Sequence, residues 1–464
     1  MKLIDEIRCL LVVLVSLTGV SLTGVSCTDD GADSIGALRM VSSFPSDGAT
    51  GVAVNAGTMD VCITFDDTLT LAPTGFSKVS AGDAIVRRVH PEDLSLTVSL
   101  TGVEKGKSYT LVVGRGTVLG ASGEENEPLS VTFTTVSPPG ASTVDSRLSN
   151  PSATESANRV YAALREAYGT ATVSASMANV SWNISEAELV RKEAGEYPAI
   201  AFFDYIHLHY SPASWIDYND TRVVEEWWNA GGIPGACWHW RVPRDATDTN
   251  PDNYTYSPGE TSFRPSNIFV DGSWEQRVVD ADLEEMAGYL LLLKEKGIPV
   301  IWRPLHEAAG NMFRGGTAWF WWGADGGETY VRLWRHMYDF FREKGVDNLI
   351  WVWTTEMDDS PYYPGDDYVD IVGRDLYGAT DPTAVAEEYE AILDAYPNKM
   401  IALSECGTVA PLSSQWEAGA RWVFCMPWYQ NNATTLEGHA HAPLEWWKDA
   451  LECGNVMKRG DLSF

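Results

Sequence analysis

Two short apolar segments end in groups able to do chemistry. Ile298-Pro-Val-Ile-Trp-Arg-Pro-Leu-His-Glu307 delivers Arg303, His306 and Glu307 at its carboxyl end, and Met400-Ile-Ala-Leu-Ser404 is followed by Glu405, Cys406 and Gly407. A carboxyl group beside an imidazole, followed by Gly310 and the aromatic block Trp319-Phe-Trp-Trp322, suits a proton donor facing a flat, polyhydroxylated ligand, because the CH faces of a sugar pack well on indole. A lone acidic residue after a strand is more often a helix cap or a solvated loop group. Two on facing strands carry more weight: carboxyl groups about 5–5.5 Å apart form the acid and nucleophile pair of a retaining glycosidase.

The elements that must position these groups are legible in the pattern. Strands are expected near 171–177, 199–203, 233–238, 298–305, 349–353, 369–372, 400–404 and 422–426. Amphipathic segments at 274–296, 328–344, 383–395 and 444–452 separate some of them, with Gly exits at Gly297 and Gly345. Alternation of strand and helix predicts an α/β unit with a parallel sheet, and eight strands predict a (β/α)8 TIM barrel over 145–464. On that count Glu307 follows the fourth strand and Glu405 the seventh, both at the carboxyl ends where such barrels do their chemistry.

Residues 38–136 read differently. Val61-Cys-Ile-Thr-Phe65, Leu94-Ser-Leu-Thr-Val-Ser-Leu100, Tyr109-Thr-Leu-Val-Val113 and Leu129-Ser-Val-Thr-Phe133 alternate at period two between Gly, Asp and Pro turns, which predicts a small all-β sandwich. Its opening 44–52 and closing 131–135 resemble bacterial immunoglobulin-like spacer modules, and no catalytic grouping falls within it. Ser137-Pro-Pro-Gly-Ala-Ser-Thr143 forms a Pro/Gly linker, taken as 137–144.

Before the sandwich, Lys2 and Arg8 precede an apolar run from Leu10 to Val20, too short for a comfortable membrane span. Residues 1–26 resemble a bacterial lipoprotein signal with Cys27 as the acylated residue, and the acidic tether 27–37 resembles the export tags of surface lipoproteins. This implies a protein tethered to the bacterial outer membrane, in contact with it only through an N-terminal lipid. The other cysteines (Cys62, Cys237, Cys406, Cys425, Cys453) have neither disulfide nor zinc spacing, and most are expected as buried thiols. The net charge of −31 argues against nucleic acid as partner. Pairs such as Trp227-Trp228 and Trp446-Trp447, among 19 Trp, suggest that some indoles line a cleft.

Trp302-Arg-Pro-Leu-His-Glu307, Trp319-Phe-Trp-Trp-Gly323, Gly373-Arg-Asp-Leu-Tyr377 and Leu403-Ser-Glu405, in this order, resemble the signature segments of glycoside hydrolase family 26, mostly endo-β-1,4-mannanases. The resemblance implies a retaining hydrolase of β-mannan or manno-oligosaccharides. Glu307 would be the acid/base, Glu405 the nucleophile, and Tyr377 the tyrosine that bonds the nucleophile. His239, His306, Trp319 and Trp428 would face the substrate, with Arg303 and Asp375 in support. It implies no metal and no organic cofactor, and a monomer is expected. The loop Ala308–Ala318 is longer than in many members. Related activities on mixed-linkage β-glucan or β-1,3-xylan, or a noncatalytic glycan-capture role, remain open. Asp204, Glu356, Asp358 and Asp359 also follow strands, and surface or cap roles are expected for them.

Overall fold

The computed structural model describes residues 37–54, 57–312 and 315–464, so the expected signal and Cys27 lie outside the described residues. The chain divides between Pro138 and Pro139 into two compact units.

The first unit is an all-β sandwich. One sheet runs Met40–Phe44, Thr58–Phe65, Ser95–Thr101, Ile85–Glu92, and the other Ala49–Val52, Leu129–Thr135, Ser108–Val113, Val79–Ser80. Alternation makes the core: Leu96, Val98 and Leu100 from one sheet meet Leu111, Val113, Val131 and Phe133 from the other, all buried, while the residues between them face outward.

The second unit is a closed parallel barrel. Its strands are β1 (Thr172–Met177), β2 (Ile200–Asp204), β3 (Ile233–Trp238), β4 (Val300–Pro304), β5 (Leu349–Thr355), β6 (Ile371–Tyr377), β7 (Met400–Gly407) and β8 (Phe424–Pro427). Each pairs in parallel with its neighbours, and β1 closes the ring by pairing with both β2 and β8. Helices α1 (Glu155–Ala167), α2 (Ser185–Ala194), α3 (Arg222–Asn229), α4 (Trp274–Glu295), α5 (Gly327–Glu343), α6 (Pro382–Ala395), α7 (Leu412–Ala418) and α8 (Leu444–Glu452) accompany them. Between β5 and β6 stand only two 3-10 turns, Ser360–Tyr362 and Asp366–Tyr368.

Two cores result. Inside the ring, Val173, Phe202, Cys237, Ile301, Val352, Met400 and Phe424 pack together, and Val160, Tyr161 and Leu164 of α1 join them. Segment 145–164 is the floor of the barrel. Thr154 N–H donates to the carbonyl of Asp347, Ser149 N–H to the carboxylate of Asp370 and Lys399 Nζ to that of Asp145 (2.7 Å), and Asp347, Asp370 and Lys399 all lie just ahead of a strand. Outside the ring, the alternate strand residues Phe203, Trp238, Trp302, Trp353 and Leu403 meet the helices.

Two expectations change. Strand β6 was expected at 369–372 but runs to Tyr377, because Gly373 and Asp375, which resemble turn residues, sit inside it and carry its last residues into the site. The indoles at the barrel mouth are Trp319 and Trp428, not the tryptophan pairs: Trp227, Trp446 and Trp447 are buried in the helix-facing core, where Trp228 packs against its edge. The cysteine expectation holds for Cys237, Cys406 and Cys425, whereas Cys62 and Cys453 are half-buried.

Candidate active site

Period two does most of the placing. Phe202, Cys237, Ile301, Val352 and Met426 face the barrel interior. Two residues on from each, toward the carboxyl end, come Asp204, His239, Arg303, Thr354 and Trp428, with Glu356 two beyond Thr354.

Two departures from alternation bring in the remaining carboxyl groups. Strand β7 carries a bulge: Arg374 of β6 pairs with Leu403, but Asp375 pairs with Glu405, so Ser404 is the extra residue and Glu405 is re-aimed inward. Ser404 Oγ then donates to Asp375 Oδ1 (2.7 Å). It does so across Gly373, where a Cβ would lie 2.3 Å from that oxygen, so only glycine fits there. The end of β4 breaks instead of bulging, with Leu305 and Glu307 at φ +48° and +50°, a conformation that costs non-glycine residues energy and is found where surrounding structure over-determines it. That structure is the aromatic block and α5: Trp322 Nε1 donates to the His306 carbonyl (2.8 Å) and Tyr330 Oη to the Leu305 carbonyl (2.9 Å). Strict alternation would turn His306 away from Glu307, and this bend keeps both at the site.

Glu405 is held from both sides. Arg303 Nη1 donates to Oε2 at 3.0 Å and Tyr377 Oη donates to Oε1 at 2.6 Å, while Arg303 Nη2 donates to the carboxylate of Asp375. Burial raises the Glu405 pKa and Asp375 adds to the rise, but the Arg303 charge and the Tyr377 hydrogen bond oppose it. Glu307 has much weaker opposition. Burial, then the charges of Asp375, Glu405 and Glu356, push its pKa far above the ordinary carboxyl range, with Arg303 as the smallest influence. Both carboxyl pKa values are raised, but among the described residues only Glu405 carries hydrogen-bond partners that favour its anion, Arg303 and Tyr377, and such an asymmetry is how an acid and a nucleophile are told apart.

Asp204 and Glu356 do not have the surface or cap roles expected of them. Asp204 is fully buried, its Oδ2 2.5 Å from His239 Nδ1 and its Oδ1 accepting the His239 backbone N–H at 3.1 Å. Burial works against a charged His239 ring, but Asp204 outweighs it and raises the pKa. His239 Nε2 lies 3.2 Å from His306 Nε2. Burial, Arg303 and His239 hold the His306 pKa well down, so His306 is neutral. Glu356 Oε2 accepts from Arg374 Nη1 (3.0 Å) and Arg374 Nε donates to Glu388 (2.9 Å). The signal for both residues was the same parity, counted two residues beyond the inward-facing Phe202 for Asp204 and four beyond Val352 for Glu356. Asp359 does act locally, accepting from Thr355 Oγ1 (2.6 Å) and the Glu356 backbone N–H (2.8 Å), and Asp358 is exposed.

The mouth is aromatic. Around His239 stand Trp428 (ring centroids 5.6 Å), Tyr256 (5.9 Å) and Phe320 (5.9 Å), and Phe320 stacks on Trp322 at 4.4 Å. Trp319 leaves 43% of its surface exposed. Phe320 belongs to the aromatic block expected to face the ligand, whereas Tyr256 escaped the sequence reading. Nothing in the spacing of the long segment 241–271 marks Tyr256, and its place is set when its carbonyl accepts the Trp321 N–H (2.9 Å). Glu307, Glu356 and Asp375 each bring an oxygen within 4.8 Å of the others, a spacing that would also suit a cation. Arg374 and Arg303 already place guanidinium charge on Glu356 and Asp375.

Residues 149–443 match the family model described as glycosyl hydrolase family 26. The chain belongs to that family. Residues 35–135 match a second model, described as a bacterial Ig-like domain, so this family 26 barrel is preceded by an Ig-like unit. A mannan endo-1,4-β-mannosidase of Thermothelomyces thermophilus is 33% identical over 66% of this chain and 62% of its own length. Mannan endo-1,4-β-mannosidase B of a Piromyces species is 29% identical over 70% of this chain and 56% of its own. The chain thus spans about three fifths of the length of these curated relatives. Among solved structures, the family 26 domain of a Prevotella bryantii endo-β-mannanase/endo-β-glucanase is 38% identical with TM-score 0.65, over 69% of this chain and all of that one. A β-mannanase from a symbiotic protist of the termite Reticulitermes speratus, solved with a gluco-manno-oligosaccharide, is 30% identical with TM-score 0.58, over 69% and 98% of the two chains.

Proposed function

We propose that this family 26 member is a retaining endo-β-1,4-mannanase acting on mannan, galactomannan or glucomannan. The observation that carries the reading is the unequal treatment of Glu405 and Glu307: one clasped by Arg303 at 3.0 Å and Tyr377 at 2.6 Å, the other left on the strained end of β4 among like charges. Glu405 attacks the anomeric carbon as a carboxylate while Glu307 gives its proton to the departing glycosidic oxygen. In the second step Glu307, now a carboxylate, takes a proton from water, and the hydroxide oxygen displaces Glu405 from the sugar. Tyr377 fixes the angle of the attacking oxygen. His239 and His306, with Trp319 and Trp428, face the sugar. No step calls for a metal or an organic cofactor. We further propose, on sequence grounds, that Cys27 carries a lipid anchoring the enzyme to the outer membrane.

The test is sugar release from galactomannan by the wild type and by Glu307→Ala and Glu405→Ala, with lichenan and β-1,3-xylan in parallel. Each substitution is expected to lower turnover by about 10²-fold or more, and on an aryl mannobioside, whose leaving group needs no proton, exogenous azide should rescue the two variants with opposite stereochemistry. Release from lichenan or xylan but not from galactomannan would replace the substrate. Two variants turning over like the wild type would remove the residue assignment.

A further inference from the structure

We infer that Glu356 is a positioning residue for the acid/base: its carboxyl group, fixed by Arg374 beside Glu307, keeps the Glu307 proton in place as the pH rises. The inference rests on the reading of Glu307 as acid/base given above.

The geometry is specific. Glu356 is 7% exposed, and one oxygen of Glu356, Glu307 and Asp375 falls within 4.8 Å of each of the others. Oε2 is anchored by Arg374 (3.0 Å), and Arg374 is itself steadied by Glu388 (2.9 Å) and by the Thr355 carbonyl (3.4 Å). Oε1 is buried without a hydrogen-bond partner. A buried acceptor left open is costly and calls for an explanation. If its position were merely structural, an apolar side chain or one pairing both oxygens would serve better there. The backbone is forced as well, since Met357 and Asp358 just after it stand at φ +64° and +54°.

The groups facing each carboxyl set the sign. Glu307 meets Asp375, Glu405 and Glu356, with Arg303 opposing, and Glu356 meets Arg374, Asp375 and Asp359. Burial, moderated by Arg374 and reinforced by Asp375, brings the Glu356 pKa to about 8. Arg374 Nη1 bonds Glu356 directly at 3.0 Å, whereas among the described residues no guanidinium bonds Glu307. Glu356 therefore ionises first as the solution turns alkaline. Its new negative charge then makes loss of the Glu307 proton harder, so the acid remains loaded over a wider pH range.

Glu356→Gln keeps the shape and the bond from Arg374 but cannot become an anion. The pH profile of kcat/KM on manno-oligosaccharides is expected to keep its acidic limb and to lose its basic limb about one pH unit earlier. With an aryl mannobioside whose leaving group needs no proton, wild type and variant should coincide. Glu356→Asp, with the charge drawn back by one methylene, should shift the basic limb the same way by less, and it carries the test should the Gln variant not fold. Carbon-13 NMR titration of labelled glutamate, in wild type and Glu356→Gln, reads the Glu307 pKa without any substrate, so the inference is testable even if mannan is the wrong polymer. An unmoved basic limb and an unmoved Glu307 titration in a folded variant overturn it, as does an equal loss of rate at every pH and with both leaving groups.

Discussion

Replacing Arg303 by Met isolates the charge at the centre of the site. The side chain is 0% exposed, and its guanidinium bonds Glu405 and Asp375 together. Methionine roughly fills the volume but leaves two buried carboxylates facing each other. Breaking a buried ion pair from one side costs about 3–5 kcal/mol, mostly as the penalty of the stranded charge, which lowers the melting temperature of a unit this size by roughly 5–10 °C. The sign with pH follows from proton uptake. In the variant the folded-state pKa of Glu405, already raised by burial, loses the opposing Arg303 charge and rises further above that of the unfolded chain, so the folded state binds the extra proton and stability falls as pH rises. The deficit is therefore largest near and above neutrality and shrinks as the pH drops toward the ordinary carboxyl range. Activity should track the same charge: the acidic limb of kcat/KM, set by Glu405, moves about 1–3 pH units toward alkali when the neighbouring cation goes. Calorimetry of the barrel transition from pH 4 to 9, paired with pH–rate profiles, checks both. A variant that melts like the wild type and keeps its acidic limb would refute the reasoning, since the two carboxylates would then be balanced by something other than Arg303.

Further outcomes follow from the same charges. Glu307→Gln should abolish turnover yet raise the melting temperature, and by more at pH 9 than at pH 5, because the folded wild type holds Glu307 protonated while the unfolded chain releases that proton from about pH 4.5 upward; a thermal scan at the two pH values decides it. Asp204→Asn weakens the clamp on His239 Nδ1, so kcat/KM on manno-oligosaccharides should drop about 10–100-fold with little change in melting temperature. An Asn variant with wild-type kinetics would show that His239 holds its orientation without the carboxylate.

How far the site could be read from the chain depends on whether a residue obeys its strand. Arg303, His239 and Trp428 continue the inward parity of apolar runs, and counting by two places them. Asp204 and Glu356 obey the same parity and were passed over because an acidic residue after a strand has an ordinary use as a cap; only the neighbours that bury them rule it out. Glu405 sits inward because of a bulge that packs Ser404 against Gly373 on the neighbouring strand, and no local pattern around Glu405 announces it. Tyr256 and Phe320 belong to the aromatic wall through a loop contact, so periodicity says nothing of them.

The two irregular strand ends share one physical purpose. An inner wall of perfectly alternating strands would bring every second residue inward and could not set Glu307 and His306 together, nor Ser404 and Glu405. Breaking β4 and bulging β7 each add an inward group where regular pleating allows none. Each departure is held by groups outside the strand itself: Tyr330 and Trp322 on the carbonyls at the end of β4, and the space left by Gly373 at β7. Burial and mutual repulsion fall on the same few acidic residues, and against them the described part of the site sets two guanidinium groups and the His239 ring paired with Asp204. Under the proposed mechanism that shortage of positive charge near Glu307 has a use. A further cation near Glu307 would make the fold more stable and its acid too weakly protonated to release a leaving group, so the same imbalance that costs stability keeps the proton where the first chemical step needs it.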